Sequence, residues 1–268
     1  MKKIILLPFI FLMNMAQAEG MLKLGVVPQQ SASSLAKAWV PLTLFLSNKI
    51  GENIRFETAP NIPEFEKRVA AGMYDIVYLN PYHYTIFSKS TGLRAIAKQK
   101  GKRIKGIVVV ARDSELSSLE MLNNAEIAFP APAAFAATIL PQANLTLRDI
   151  PFTPSYVSSH DSVYAGVAKG FFVAGGGIER TLSTLPKSVS NKLKVIWRSE
   201  GYTPHAFAVH PSVSDETASH IQNALVSLNS LDEGKQILNR LGFNTGIIKG
   251  VDSDWDDVRA LNIKIIDL

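Results

Sequence analysis

Residues 68–84 read RVAAGMYDIVYLNPYHY, and three local signals in this stretch set the architecture. Glu64, Phe65, Val69 and Ala70 fall on one helical face, Gly72 supplies a left-handed stop, and Ile76, Val77 and Leu79 form a short apolar run after Asp75. A helix is therefore expected to end here, a buried strand to follow it, and a polar aromatic loop to leave the strand. In open α/β sheets, ligands sit beyond the carboxyl ends of strands. That rule puts Tyr78, Asn80, Tyr82 and Tyr84 where ring faces and an amide meet a small molecule. The alternative is a tyrosine-rich strand end packed in a core.

Outward from this stretch the same alternation recurs. Strands are predicted at Leu22 to Val27, Ile54 to Glu57, Ile76 to Leu79, Ile107 to Ala111, Glu126 to Phe129, Phe171 to Ala174, Val195 to Trp197 and Phe207 to His210. Helices are predicted at Leu35 to Ile50, Ile62 to Ala71, Tyr82 to Ser90, Ala136 to Gln142, Ser162 to Lys169, Asp215 to Leu228 and Asp232 to Leu241. Near-continuous apolar strands alternating with helices give an α/β fold of mostly parallel sheets flanked by helices. There is no internal repeat and no long linker, so two lobes must be joined by strands or short hinges. The expected crossings are Ile107 to Arg112 and Trp197 to Ala208. They divide the chain into residues 19–106 plus 206–268 in one lobe and 107–205 in the other.

The amino terminus reads as a cleaved secretory signal over residues 1–18: Lys2 and Lys3, an apolar run from Ile4 to Met15, then Ala16-Gln17-Ala18. No later run approaches the length of a membrane span. The chain has no cysteine, which excludes disulfides and a lipid-anchoring thiol and points to a free periplasmic protein. Two of its 28 basic residues lie in the signal, so the remainder, with 23 acidic residues, carries a net charge of +3. The densest basic group, Lys98, Lys100, Lys102, Arg103 and Lys105, reads as a solvated, edge-protecting run rather than a nucleic-acid surface.

GVVPQQS at Gly25 to Ser31, Trp39 and Pro41 in the first helix, AAGMYDIVYLNPYHY, FPAPAAFAATILP, SSHDSVYAGVAKG at Ser158 to Gly170, KVIWRSEGYTP, HAFAVHP and EGKQILNRLGF at Glu233 to Phe243 occur in this order along nearly the whole chain. In order and spacing they resemble the periplasmic phosphate, phosphite and phosphonate-binding proteins that feed ABC transporters. The resemblance implies a two-lobed type 2 periplasmic-binding fold with two crossover hinge strands, closing on a small anion. It also implies an inner-membrane permease as partner, with a membrane sensor as the alternative, and neither cofactor nor metal. A monomer is expected.

In such proteins the oxyanion usually meets backbone N–H groups at a helix start together with a cluster of hydroxyls. After Pro132 this chain places Ala134, Phe135 and Ala136 there, and Thr138 is the nearest hydroxyl. Each lost charge-assisted hydrogen bond is worth roughly 1.5–3 kcal/mol, so the site is expected to bind a weaker anion, or a neutral or aromatic ligand stacked between Phe135 and the tyrosines. Phe135 packing into the core is the remaining alternative. A second departure is FFVAGGG, where Val173 stands at the family's strand aspartate; Gly175 and Gly176 then admit a ligand to the backbone or form a tight turn.

On the opposite lobe, Gln29, Gln30 and Ser31 follow the first strand at its carboxyl end and are expected in the cleft. Ser159 and His160 precede the Ser162 helix, and the resemblance implies a ligand contact for them. His83, His205, His210 and His220 show no metal-ligand spacing. No nucleophile motif, carboxylate pair or phosphate loop is present, so binding rather than catalysis is expected.

Overall fold

The computed structural model describes residues 20–263; the expected export signal at 1–18 lies outside them. Among the described residues eleven strands and ten α-helices follow one another. They are β1 Leu22–Val26, α1 Ala32–Ile50, β2 Ile54–Glu57, α2 Ile62–Ala70, β3 Ile76–Leu79, α3 Pro81–Ser90, β4 Arg94–Gln99, β5 Gly106–Ala111 and β6 Ala125–Phe129. There follow α4 Leu140–Leu147, β7 Phe152–Tyr156, α5 His160–Ala168, β8 Ala174–Ile178, α6 Glu179–Ser183, α7 Lys187–Ser190, β9 Leu193–Arg198, β10 Ala206–Val209, α8 Asp215–Ser227, α9 Asp232–Leu241, β11 Ile247–Lys249 and α10 Asp256–Arg259. A π turn, Phe135–Ile139, leads directly into α4.

The strands form two sheets, β11-β4-β10-β3-β1-β2 and β7-β6-β8-β5-β9, one per lobe. In the first, β2, β1, β3 and β4 run one way and β10 and β11 the other. In the second, only β5 opposes the rest. The parallel majority was expected from the alternation. The strand that enters each sheet from the other lobe, β10 or β5, runs against the parallel majority, and β11 at the edge of the first sheet does so as well.

The first crossing is displaced from the expected one and the second is shorter. Ile107 to Ala111 lies within β5, paired on both sides, so the first crossing is 100–105, upstream of the predicted Ile107 to Arg112. The second, 199–205, falls inside the predicted span. The two are joined by an antiparallel bridge, with Ile104 N–H donating to Tyr202 O at 2.7 Å and Tyr202 N–H to Ile104 O at 2.9 Å. A carboxy-terminal segment braces them. Asp257 Oδ2 accepts from Arg103 at 2.7 Å and from Thr203 N–H at 2.9 Å, and the buried Trp255 donates its indole N–H to Pro204 O at 2.8 Å.

Each sheet has its own helices for cover. In the first lobe, Leu35, Trp39, Leu42 and Leu46 form the buried stripe of α1, each worth roughly 1.5–3 kcal/mol for its removal from water. Trp39 packs on Tyr78 at 4.6 Å between ring centroids, confirming its structural reading. In the second lobe, a Cβ on Gly176 would stand 2.0 Å from Ala137 O, and one on Gly106 2.1 Å from Ala136 O. The π turn lies directly on these two strands because they lack side chains there.

Candidate functional site

Loops from the carboxyl ends of both sheets meet between the lobes. After β1, Gln29 N–H donates to Val27 O at 2.8 Å, a tight turn that folds the Gln29 side chain inward, where it is buried. Its carboxamide orientation follows from its neighbours. Arg180 has only donors, so it meets Gln29 Oε1, and the amide Nε2 is left to donate to His205 Nε2 at 2.9 Å. His205 must therefore accept at that atom. Burial first, and Arg180 second, hold its pKa well below the ordinary histidine value, consistent with a neutral ring.

After β3, Asn80 caps α3 by accepting from His83 N–H at 2.8 Å and donates its Nδ2 to Ala133 O of the other lobe at 3.1 Å. Tyr78 forms a floor beneath: it stacks on His205 with centroids 5.1 Å apart, and the Arg180 guanidinium lies 5.9 Å over its ring.

From the second lobe, Ser159 caps α5 by accepting from Ser162 N–H at 3.1 Å. The next residue, His160, donates its backbone N–H to Gln29 O at 3.0 Å. Its ring Nδ1 meets Thr181 Oγ1 at 3.2 Å, while Nε2 has no hydrogen-bond partner. Burial, assisted by Arg180, lowers the His160 pKa to about 3. At the rim, Ser31 N–H donates to Asp161 at 3.0 Å and Gln30 to Thr184 at 2.8 Å.

These groups surround a cavity of about 10 Å³ walled by Gln29, Asn80, Ala134, Phe135, Ala136 and His160, with Ile104, Ile178 and His205 toward the hinge. That is room for about one water molecule, so a larger ligand is admitted only when the lobes part. A second compartment of about 30 Å³ adjoins it on the hinge side.

Of the residues singled out from sequence, Gln29, Asn80, Ala134, Phe135, Ala136 and His160 come together in the cavity wall. Tyr78 lines the hinge-side compartment, and Gln30, Ser31 and Ser159 lie at the rim. Tyr82 is buried outside both walls, and Tyr84 turns away, donating to Asp252 at 2.7 Å and packing on Trp255. Phe135 does line the cavity, but it meets Tyr202 edge-on at 5.4 Å rather than facing Tyr78 or Tyr82. Thr138 is buried one turn in, with Oγ1 unpartnered, and is not part of the wall.

The glycines belong to packing instead. Gly175 and Gly176 lie in mid-strand, where added Cβ atoms would meet Val163 Cγ1 at 2.4 Å and Ala137 O at 2.0 Å. Val163 and the π turn fill the space beside them, and the glycines are strand rather than turn. Val173 precedes β8 and is 47% exposed, so it is not at the cleft; the carboxyl end of this strand is Ile178.

Sequence reasoning did not find Arg180, the cation of the site, or the cleft position of His205 and Ile104. The signal for Arg180 was the strand-end rule itself, applied to a strand placed four residues too early. The basic run also divides. Lys98 pairs with Asp254 at 2.5 Å, whereas Lys102, Arg103 and Lys105 line the hinge-side compartment. Among the described residues no helix is long and apolar enough to cross a membrane, and no group of three or more His, Cys, Asp or Glu is placed to hold a metal ion.

Comparison with known proteins gives this arrangement a context. A family model described as "ABC transporter, phosphonate, periplasmic substrate-binding protein" matches residues 24–255. Among solved structures, the fold is similar to that of a binding protein component of an ABC phosphonate transporter from Pseudomonas aeruginosa, with a TM-score of 0.83 at 16% identity over 91% of this chain and 86% of that one. PhnD1 from Prochlorococcus marinus, solved with methylphosphonate, gives 0.82 at 20% identity over 90% and 98%. A Xanthomonas citri protein solved with ATP gives 0.69 at 16% identity over 90% and 95%.

Proposed function

The chain belongs to the family of periplasmic substrate-binding proteins of phosphonate ABC transporters, and from that premise we propose that it clamps a small phosphonate-like anion between its lobes for delivery to an inner-membrane permease. The lobes in this reading are residues 19–106 with 206–268 and residues 107–205, turning about 100–105 and 199–205. The chain acts as a monomer in the periplasm after removal of residues 1–18, and it binds its ligand without transforming it.

The observation that carries the anionic reading is Arg180. Its guanidinium reaches the cleft through a neutral carboxamide, Gln29, and among the described residues no carboxylate pairs with it. A partly desolvated cation without a counter-charge favours a ligand that brings one. Gln29, Asn80 and the neutral His160 supply further polar contacts, and the first amides of the π turn have no partner within their own helix. With alanines in place of hydroxyls at 134 and 136, the anion is held by one guanidinium and by amides.

Titration calorimetry of the purified chain with methylphosphonate, phosphate, sulfate and acetate tests this. Saturable heat with a phosphorus oxyanion is expected. In a thermal melt, about a thousandfold excess over Kd should stabilise the fold by about 4 kcal/mol, or roughly ten degrees for a chain this size. Binding of acetate or a neutral solute with no response to any phosphorus oxyanion would refute it.

A further inference from the structure

The proposal of an anion clamp accounts for the cavity of about 10 Å³, but not for the compartment of about 30 Å³ beside it. The two share the walls Ile104, Ile178 and His205, so they are neighbouring parts of one cleft. Their chemistry differs. The inner cavity is lined by neutral polar and apolar groups, whereas the hinge-side compartment is lined by Lys102, Arg103, Lys105, Arg180 and a single acid, Glu179.

That acid does not balance the cations. Glu179 pairs with Arg198 at 2.8 Å and Arg103 with Asp257 at 2.7 Å. Among the described residues no carboxylate pairs with Lys102, Lys105 or Arg180, which leaves three positive charges uncompensated around one small compartment. Arg180 stands at the junction, since it lines the hinge side and donates to Gln29, which lines the inner cavity. Lys102 and Lys105 belong to the crossing segment itself, so they stay beside the cleft when either lobe turns.

Resting on the reading of the cleft as an anion clamp, the geometry points to a second anion subsite at the hinge, formed by Lys102 and Lys105 with Arg180. The protein selects phosphonates that carry a second negatively charged group. The phosphonate head occupies the cavity at Gln29, Asn80 and His160, and the second carboxylate or phosphoryl group lies under the two lysines. A methyl or other uncharged substituent in that position would leave their charges unanswered.

The test compares methylphosphonate with phosphonoacetate and methylenediphosphonate by calorimetry, on the wild-type chain and on a Lys102→Gln, Lys105→Gln double variant. Both lysines are exposed, so the variant is expected to fold normally. In the wild type, at least one of the doubly charged compounds should bind about tenfold or more tightly than methylphosphonate, a gain in keeping with partly screened charges. In the double variant that preference should fall to about twofold or less, the doubly charged compounds losing more affinity than methylphosphonate. A response to phosphonoacetate alone assigns the subsite to carboxylates; a response to both assigns it to any second anion. Equal affinities in the wild type, or a preference that survives in the variant, would overturn the subsite while leaving the clamp intact. Absence of binding by all three compounds in every protein would remove both.

Discussion

The backbone N–H of His160 donates to the carbonyl oxygen of Gln29 at 3.0 Å, tying the first turn of α5 in one lobe to the loop after β1 in the other. That bond joins two main-chain groups, which side-chain changes leave in place, and beside it in this clasp Ser31 N–H donates to the Asp161 carboxylate, a second tie across the cleft that does depend on a side chain. A ligand in contact with Gln29 and His160 enters when the clasp opens, and its affinity is net of that cost.

Arg180→Gln should lower methylphosphonate affinity by about a hundredfold, since a charge-assisted contact in a desolvated site is worth roughly 2–3 kcal/mol. Melting temperature without ligand should change little, because Arg180 is hydrogen-bonded but not carboxylate-paired. Calorimetry decides, and unchanged affinity would remove the cation from the site.

Folding stability should fall with acidification. His160 is held neutral, with a pKa of about 3 set by burial and by Arg180, against about 6.5 in the unfolded chain. The depressed value gives stability that is complete above about pH 6.5 and is lost progressively as pH falls toward about 3, because only the unfolded state takes up the proton in that window. From about pH 7 to about pH 4.5 the loss is about 3 kcal/mol. Urea unfolding at both pH values should show a smaller decline for His160→Gln than for the wild type; equal declines would place the proton elsewhere.

Gly176→Ala should destabilise by about 3 kcal/mol or more, because its Cβ would stand 2.0 Å from Ala137 O and 2.7 Å from Phe129, and the backbone oxygen has no way to yield. A drop of about ten degrees in melting temperature is expected. A near-neutral result would mean that the π turn does not lie on β8.

The same strand shows why part of the site was hidden. Period and capping signals recover most strand and helix positions, and the strand-end rule brings Gln29 and Asn80 to the cleft. Three successive glycines, however, carry no hydropathy signal. Gly175 to Gly177 therefore read as a ligand-admitting segment or a tight turn, the preceding Phe171 to Ala174 as the strand, and the strand end moved from Ile178 to Ala174. Glu179 and Arg180 thus lost the context that marks them. Strands β4 and β7 were missed for a related reason: Arg94 and Lys98 break the apolar run of RAIAKQ, and Pro154 interrupts an edge strand that is largely exposed. Tyr82 and Tyr84 illustrate the converse, because ring chemistry suited to a ligand is equally suited to a core, and only packing separates the two.

Asp257→Asn should loosen the hinge. Its Oδ2 accepts from the Arg103 guanidinium, Thr203 N–H and Thr203 Oγ1, and weakening these should cost about 1–2 kcal/mol. Small-angle scattering without ligand should report a larger radius of gyration, and saturating ligand should restore the wild-type value. Identical scattering curves would show that the brace does not bias the lobes.

Ala134→Ser should raise methylphosphonate affinity about fivefold to tenfold by returning one hydroxyl donor to the wall, worth about 1 kcal/mol. Phe135→Ser is the wrong variant for this purpose. Phe135 is buried against Tyr202, and its truncation should cost about 3–5 kcal/mol, visible as a lowered melting temperature before any binding is measured.

The Ile104–Tyr202 bridge limits what the lobes can do. Two crossing segments pinned to each other at one point form a narrow ribbon that twists readily and resists sliding, so the available path is close to rotation about a single axis. In the proposed clamp the ribbon and its brace set the axis of that rotation, and the contacts across the cleft, the His160–Gln29 bond among them, set where it stops. Substitutions at 134 and 136 would therefore retune which solute is retained while leaving the surface offered to the proposed permease unaltered.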